Sequence, residues 1–266
     1  MLPTISSDPV VAALLGADGP LDLLVRWRRL ERFTGSPHGV AFQEAGERAL
    51  LSEHTGPPGA SPEPAEDALV LGVLTILLTM TGARGLTVTV GRDDPTVVFT
   101  DGAFTAPPLA ADISMWRFTW QSWAIRPAPA PPARPDAPAR GADPVSDVVS
   151  RARCLLGGGL ARRWTLPVLA CELDTSTRSL QRGLRGAGGF QGLVGTVRAE
   201  AAAELLLNSE YAVCLVGFAC GYADQPHFTR EFKRRTAVTP AAYRAAFARR
   251  APEGRTEHNS MKEGPR

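Results

Sequence analysis

The sequence predicts two structural classes in one chain: an α+β N-terminal domain with a small antiparallel sheet, then an all-α C-terminal domain with two helix-turn-helix units. Three observations carry that prediction. A short helical pattern occurs twice, at Leu180-x-Arg182-x-Leu184-Arg185 and at Phe228-x-Arg230-x-Phe232-Lys233. Period-two alternation is concentrated in the first half, over residues 86–90 and again through Trp116, Arg117, Phe118, Thr119 and Trp120. Charge divides the chain the same way, with 11 Lys+Arg against 17 Asp+Glu in residues 1–150 and 15 against 7 in residues 151–250. A chain of 266 residues with 44% apolar content is long enough for two ordinary globular units. The expected layout is a domain over residues 1–126, a Pro/Ala-rich linker over 127–144, a basic domain over 145–250 and a disordered tail over 251–266.

In chain order, residues 9–33 read as one helix, with Leu21, Leu24, Val25, Arg28 and Leu30 as an imperfect stripe and Arg26, Arg28, Arg29 and Arg32 on other faces. A basic cluster of this kind is an exposed helix face more often than a phosphate contact. Residues 40–42 and 49–54 read as short strands around a Glu44-Ala-Gly46-Glu47 turn, and 55–64, with four prolines, as a loop. Residues 66–81 read as a buried helix with Leu69, Val73, Leu77 and Met80 inward, the β-branched residues leaving a strand as the alternative. The alternation in 86–90, the Gly91-Arg-Asp-Asp-Pro95 turn and residues 97–100 predict a hairpin. Trp116, Phe118 and Trp120 give a further strand with one aromatic face. The cluster Trp116, Trp120 and Trp123 is either plain core, the commoner case, or the lining of an apolar pocket.

The linker repeats Pro and Ala with two arginines and two aspartates, a composition that favours extended polyproline II at about 3.1 Å per residue and a separation of up to roughly 50 Å. Residues 147–156 then begin the basic domain. Upstream of each repeated pattern lies an apolar run ending in a turn, 166–173 before Asp174-Thr-Ser176 and 213–220 before Gly221-Tyr-Ala-Asp224. Ala170 and Gly217 sit at matching depth, where a second helix crosses closely. That is the layout of a helix-turn-helix. Ser176 and Asp224 stand as N-caps, and Leu180 with Leu184, and Phe228 with Phe232, share an inward face at i and i+4. Between the units, residues 190–208 read as one helix with Phe190, Leu193, Val197, Ala201 and Leu205 on a stripe.

Over residues 166–244 these motifs, with the closing Thr239-Pro240-x-x-Tyr243-Arg244, resemble the C-terminal DNA-binding domain of AraC/XylS-type transcriptional regulators. The departures are Asp174 and Ala237 where glycines are usual, a short Gly186-Ala-Gly-Gly189 loop, and Gly183, Gly192 and Gly195, which lower helix propensity. The resemblance implies double-stranded DNA as partner. Arg178, Gln181, Arg182 and Arg185 fall at i, i+3, i+4 and i+7 on a face opposite Leu180 and Leu184. Arginine pairs with guanine O6 and N7 and glutamine with adenine N6 and N7, so matching family positions make Arg178, Gln181 and Arg182 the expected base readers. The second helix offers Gln225, His227, Arg230, Lys233 and Arg234, with Pro226 at an early position, and is expected to contact phosphate more than bases. The resemblance also implies an N-terminal domain that senses a small molecule or mediates dimerisation, with RNA polymerase a further partner and either a monomer or a homodimer as the state.

Other chemistry has little to carry it. The four cysteines show no C-x-x-C spacing, and His38 and His54 have no evident carboxylate partner in the sequence, so neither metal nor cofactor is expected. Asp93, Asp94 and Asp101 read as turn residues. No nucleophile elbow, P-loop or dinucleotide fingerprint is present, and residues 1–153 lack the cysteines an Ada-type alkyl-transfer protein needs, so the chain is not expected to be an enzyme. The N-terminus has no basic stretch followed by a long apolar core, and the 13-residue apolar run 68–80 is short of a span of about 20 residues, which predicts a cytoplasmic protein with no membrane partner. The alternative function is a non-specific architectural DNA-binding protein with a vestigial N-terminal domain.

Overall fold

The computed structural model describes residues 8–100, 102–105, 113–124 and 144–248. The expected linker, apart from Pro144, and the expected tail lie outside the described residues, as does Asp101.

The first helical stretch is two helices rather than one, α1 (Pro9–Leu15) and α2 (Pro20–Thr34). Gly16 and the Gly19-Pro20 pair break it, since glycine favours a helix end and proline a first turn. Asp8 caps α1 by accepting from the amides of Val10 and Val11 at 2.7 and 3.0 Å. Arg26, expected on an outer face, is 3% exposed. Its Nη1 donates to the Ala13 carbonyl at 2.6 Å and its Nε to Asp22 at 3.0 Å, which ties α2 to α1 and compensates the buried charge.

The hairpin β1 (Gly39–Glu44) and β2 (Ala49–Thr55) is followed by α3 (Pro64–Thr81). Its buried face is Leu71, Leu74, Leu77 and Leu78 with Asp67 and Thr75, so the expected stripe is rotated. Leu69 and Met80 are exposed instead, because a helix so uniformly apolar carries little periodicity to set its rotation. Its length and composition are those of a membrane-crossing helix, the single such helix among the described residues. Here it packs on α1 and α2.

The sheet continues with β3 (Ala83–Arg84), β4 (Thr87–Val90), β5 (Thr96–Thr100), β6 (Ala103–Phe104), β7 (Met115–Thr119) and β8 (Ser122–Trp123). The order is β1-β2-β7-β4-β5-β6 with antiparallel pairs throughout, beside a small β3-β8 ladder. Trp116 pairs with Ser52 on one side and Val90 on the other, and Phe118 with Leu50 and Val88. Inward positions therefore meet across three strands, and Trp116 and Phe118 are fully buried. Trp120 follows the strand and meets Trp123 edge-on at 6.4 Å.

The two histidines do have carboxylate partners, which corrects the sequence expectation. His38 Nδ1 lies 2.8 Å from Glu66, and His54 Nδ1 lies 2.8 Å from Asp67. Sequence spacing gave no hint of them, because the pairs join the first turn of α3 to β2 and to the start of β1. Among the described residues no cluster of three metal-ligating side chains occurs.

The C-terminal half is helical: α4 (Pro144–Gly158), α5 (Leu166–Glu172), α6 (Thr177–Gly183), a 3-10 turn (Arg185–Ala187), α7 (Gly189–Asn208), α8 (Val213–Ala219), α9 (Gln225–Thr236) and α10 (Pro240–Phe247). Helix α7 serves two cores. Leu193, Val194 and Val197 close one with α4, α5 and α6, while Ala199, Ala202 and Leu206 belong to another with α8 and α9.

That second core is continuous with the N-terminal half, so the described parts of the two halves are in contact. Helices α1 and α2 pack on α8. Phe33 meets Phe218 edge-on at 6.3 Å, Arg29 donates to the Phe218 carbonyl at 3.1 Å, and Tyr211 donates to Asp8 at 3.0 Å. Arg162 adds contacts to Asp18 at 3.3 Å and Glu172 at 2.9 Å. Burying aromatic surface on both sides of this junction favours contact over the separation the linker length permits.

Candidate nucleic-acid interface

Both helix-turn-helix units are built the same way. After α5 the chain turns through Asp174 at φ 50°, and after α8 through Gly221 at φ 80°. In each turn two amides bond back: Asp174 to Cys171 and Thr175 to Ala170 in the first, Gly221 to Phe218 and Tyr222 to Gly217 in the second. These bonds satisfy carbonyls left over at a helix end. The first turn is one residue shorter before its N-cap. Ser176 then accepts from the Ser179 amide at 3.1 Å, and Asp224 from the His227 amide at 2.7 Å, so both second helices begin at their expected caps.

The inward faces are dry. Leu180, Leu184, Phe228 and Phe232 are fully buried, with Phe228 and Phe232 in edge-to-face contact at 5.6 Å and Tyr222 tilted on Phe228 at 4.8 Å. Burial pushes the Tyr222 hydroxyl well above its ordinary pKa, so it stays neutral. Gly217 is the close-crossing point: a Cβ there would stand 2.6 Å from Phe228 Cδ1 and 2.8 Å from Phe33 Cε1. Gly195 in α7 has a comparable use, leaving room for the Arg235 guanidinium.

On the outward face of α6, Arg178, Gln181 and Arg182 are exposed, with no ion pair or side-chain hydrogen bond among the described residues. Arg185 is exposed too, but it opens the 3-10 turn instead of continuing the helix. Glycines at 183, 186, 188 and 189 end the α-helix there, so the expected i+7 position is displaced from the helical face.

The second set divides. Arg230 and Lys233 are exposed and unpaired among the described residues. Gln225 is half-buried. His227 is half-buried, takes the Ala223 amide on Nδ1 at 3.3 Å and stands edge-on to Tyr222 at 5.6 Å, so it has a structural use. Arg234 is exposed but held by Glu231, to which Nε and Nη2 donate at 3.3 and 2.8 Å. That pair lowers the Glu231 carboxyl below its ordinary pKa and raises the Arg234 guanidinium. Sequence inspection missed Glu231. The i,i+3 spacing to Arg234 and the i,i+4 spacing to Arg235 were the available signals. The outward surface of the two second helices thus combines five free polar or cationic side chains, Arg178, Gln181, Arg182, Arg230 and Lys233, with one clamped arginine, and Arg185 adds a sixth free side chain from the 3-10 turn after α6. Such a surface offers bidentate donors for base edges and point charges for phosphates.

Residues 169–246 match a family model described as a helix-turn-helix domain. The curated TCP pilus virulence regulatory protein of Vibrio cholerae is 24% identical over 98 residues, 36% of this chain and 36% of that one. The chain therefore spans about a third of that relative's length. Among solved structures, the C-terminal domain of AraT, a response regulator from Geobacillus stearothermophilus, is 29% identical, covers 44% of this chain and 98% of its own, and has a TM-score of 0.38. The DNA-binding domain of AdpA, a global transcriptional factor in complex with a target DNA, is 29% identical, with 40% and 93% covered and a TM-score of 0.34. Residues 169–246 thus carry a helix-turn-helix domain, and it is over this part that the chain is similar to these regulators.

Proposed function

We propose that the chain is a sequence-specific transcription regulator that reads a bipartite DNA site, with α6 and α9 in adjacent major grooves. The observation that carries this is the outward face of α6, where Arg178, Gln181 and Arg182 stand free opposite the fully buried Leu180 and Leu184. Helix α7, with 20 residues at about 1.5 Å each, is roughly 30 Å long. Successive major-groove segments on one face lie about 34 Å apart, so the connecting helix has the right scale.

In this proposal Arg178, Gln181 and Arg182 read bases, while Arg185, Arg230, Lys233 and Arg234 neutralise phosphates. Gln225 and His227 contribute at the edge, His227 mainly by holding the start of α9. Residues 145–250 form the DNA-binding unit and residues 1–126 a sensor or dimerisation unit joined through 127–144, with control by a small molecule and contact with RNA polymerase as its further roles.

The test is selection of bound fragments from genomic DNA with the full chain, followed by footprinting at two salt concentrations. The proposal expects a motif with two half-elements about one helical turn apart. A single bipartite element indicates a monomer, and two related by symmetry a homodimer. Binding with no motif, and affinity accounted for by the salt slope alone, would replace it with the non-specific architectural function.

A further inference from the structure

The two helix-turn-helix units are closed by different parts of the chain. In the first, α4 covers α6 and α7 from within the C-terminal half, with Ala152 and Leu156 in its core. In the second, α10 covers α7 and α9, with Tyr243 edge-on to Phe232 at 5.4 Å and Arg244 Nε donating to the Leu206 carbonyl at 3.3 Å. The first helix of that unit, α8, is covered by α1 and α2. The N-terminal half therefore supplies the second unit with a cover over its first helix, in addition to the cover that α10 gives its second.

The contact is made where it reaches furthest. Phe33 and Phe228 both close on the space that a Cβ of Gly217 would fill, so the missing side chain lets an N-terminal ring and the ring that anchors α9 approach the same point. Phe33, Val216, Phe218, Phe228 and Phe232 lie in one continuous core. Beside it, Arg29 lays its guanidinium over the Phe218 ring at 4.7 Å and donates to the Phe218 carbonyl at 3.1 Å. Phe218 lies in the last turn of α8, whose carbonyls favour a cation. Helix α2 is also bound to the sheet, where Glu31, which takes a hydrogen bond from Trp27 Nε1 at 2.6 Å within the helix, accepts from the Val40 amide of β1 at 3.1 Å. Helix α2 thus links β1 to the base of α9.

We infer that α2 positions the second helix-turn-helix unit, and that Phe33 and Arg29 are positioning residues through which the N-terminal half sets the attitude of α9 in DNA binding. Neither touches DNA. The inference rests on α9 being a DNA-facing helix only for its binding consequence, and the exchange experiment below does not depend on it.

The test compares the full-length protein with full-length Phe33→Ala, Phe33→Leu, Arg29→Met and Arg29→Lys variants. Amide hydrogen exchange without DNA is followed in α9 and, as internal reference, in α4 and α6. Phe33→Ala and Arg29→Met are expected to speed exchange in α9 about tenfold while α4 and α6 change less than about twofold, because local opening is confined to the unit that has lost its cover. Phe33→Leu and Arg29→Lys are expected to restore most of the protection. On DNA the same two disruptive variants should lose the footprint over the half-element contacted by α9 and keep the one contacted by α6. Parallel acceleration in α9, α4 and α6 would show a general loss of stability and overturn the inference, as would unchanged exchange in α9. If α9 alone is released but wild-type protein shows no paired half-elements, the positioning role stands and the bipartite DNA-reading proposal fails.

Discussion

Glu231 accepts two hydrogen bonds from Arg234, from Nε at 3.3 Å and from Nη2 at 2.8 Å, on the exposed side of α9. The clamp holds one cation back and adds a negative charge beside Arg230 and Lys233. Glu231→Gln is therefore expected to raise affinity for all DNA sequences, and to steepen the log affinity against log salt slope by about one unit. Because Arg234 lowers the Glu231 pKa, the clamp is complete above the ordinary glutamate range and is lost as pH falls through the lowered folded value. Gel shifts over a salt series measure this. An unchanged slope would remove Arg234 from the interface.

Ala237 and Asp174 occupy left-handed backbone, at φ 67° and 50°. For a residue with a Cβ that conformation costs about 1–2 kcal/mol, partly offset by the greater unfolded-state freedom of glycine. Ala237→Gly should raise stability by about 1 kcal/mol in urea unfolding. Asp174→Gly should gain less, since aspartate tolerates this region better than alanine. A lower midpoint for Ala237→Gly would contradict the assigned backbone.

These two positions show how much was legible beforehand. Both departed from the family pattern, and both turned out to need the conformation that glycine supplies. The caps Ser176 and Asp224, the buried pairs Leu180/Leu184 and Phe228/Phe232, and the aromatic face of β7 were also legible, because each depends on local spacing. The rest depended on long-range partners. No window of sequence pairs His54 with Asp67, buries Arg26 against the Ala13 carbonyl of α1, or places Phe33 against Gly217. Helix α3 was placed correctly but rotated wrongly, because leucine, isoleucine, valine and methionine on nearly every side leave no polar face to orient it.

His54 and Asp67 form a pair that is 3% and 5% exposed. Asp67→Ala leaves the imidazole without its partner and should cost about 1–3 kcal/mol of stability. Nearby, the hydrogen bond that His38 donates to the Glu66 carboxylate raises the His38 pKa. Its contribution is complete below the ordinary histidine value and is lost as pH rises through the raised one. The melting-temperature gap between wild type and Glu66→Gln should therefore close as pH rises above the ordinary histidine range and through the raised value. A gap that widens over this range would contradict the pairing.

Cys154 and Cys171 are exposed, whereas Cys220 is fully buried and its thiol is pushed up to about 12 by burial. Maleimide should label the first two in the native protein and reach Cys220 only on unfolding, since the thiolate is the reactive form. Rapid native labelling of Cys220 would mean that the core shared by α8 and the N-terminal helices opens readily.

The central claim is that α6 reads sequence while α9 chiefly supplies charge, and paired affinities of Arg182→Ala and Lys233→Ala test it most directly. On the selected site Arg182→Ala should cost about 1–3 kcal/mol and relax discrimination at one position, with little loss on random DNA. Lys233→Ala should weaken binding to both DNAs alike and lower the salt slope by about one unit. Equal losses from both substitutions on random DNA would contradict the assignment of Arg182 as a base reader.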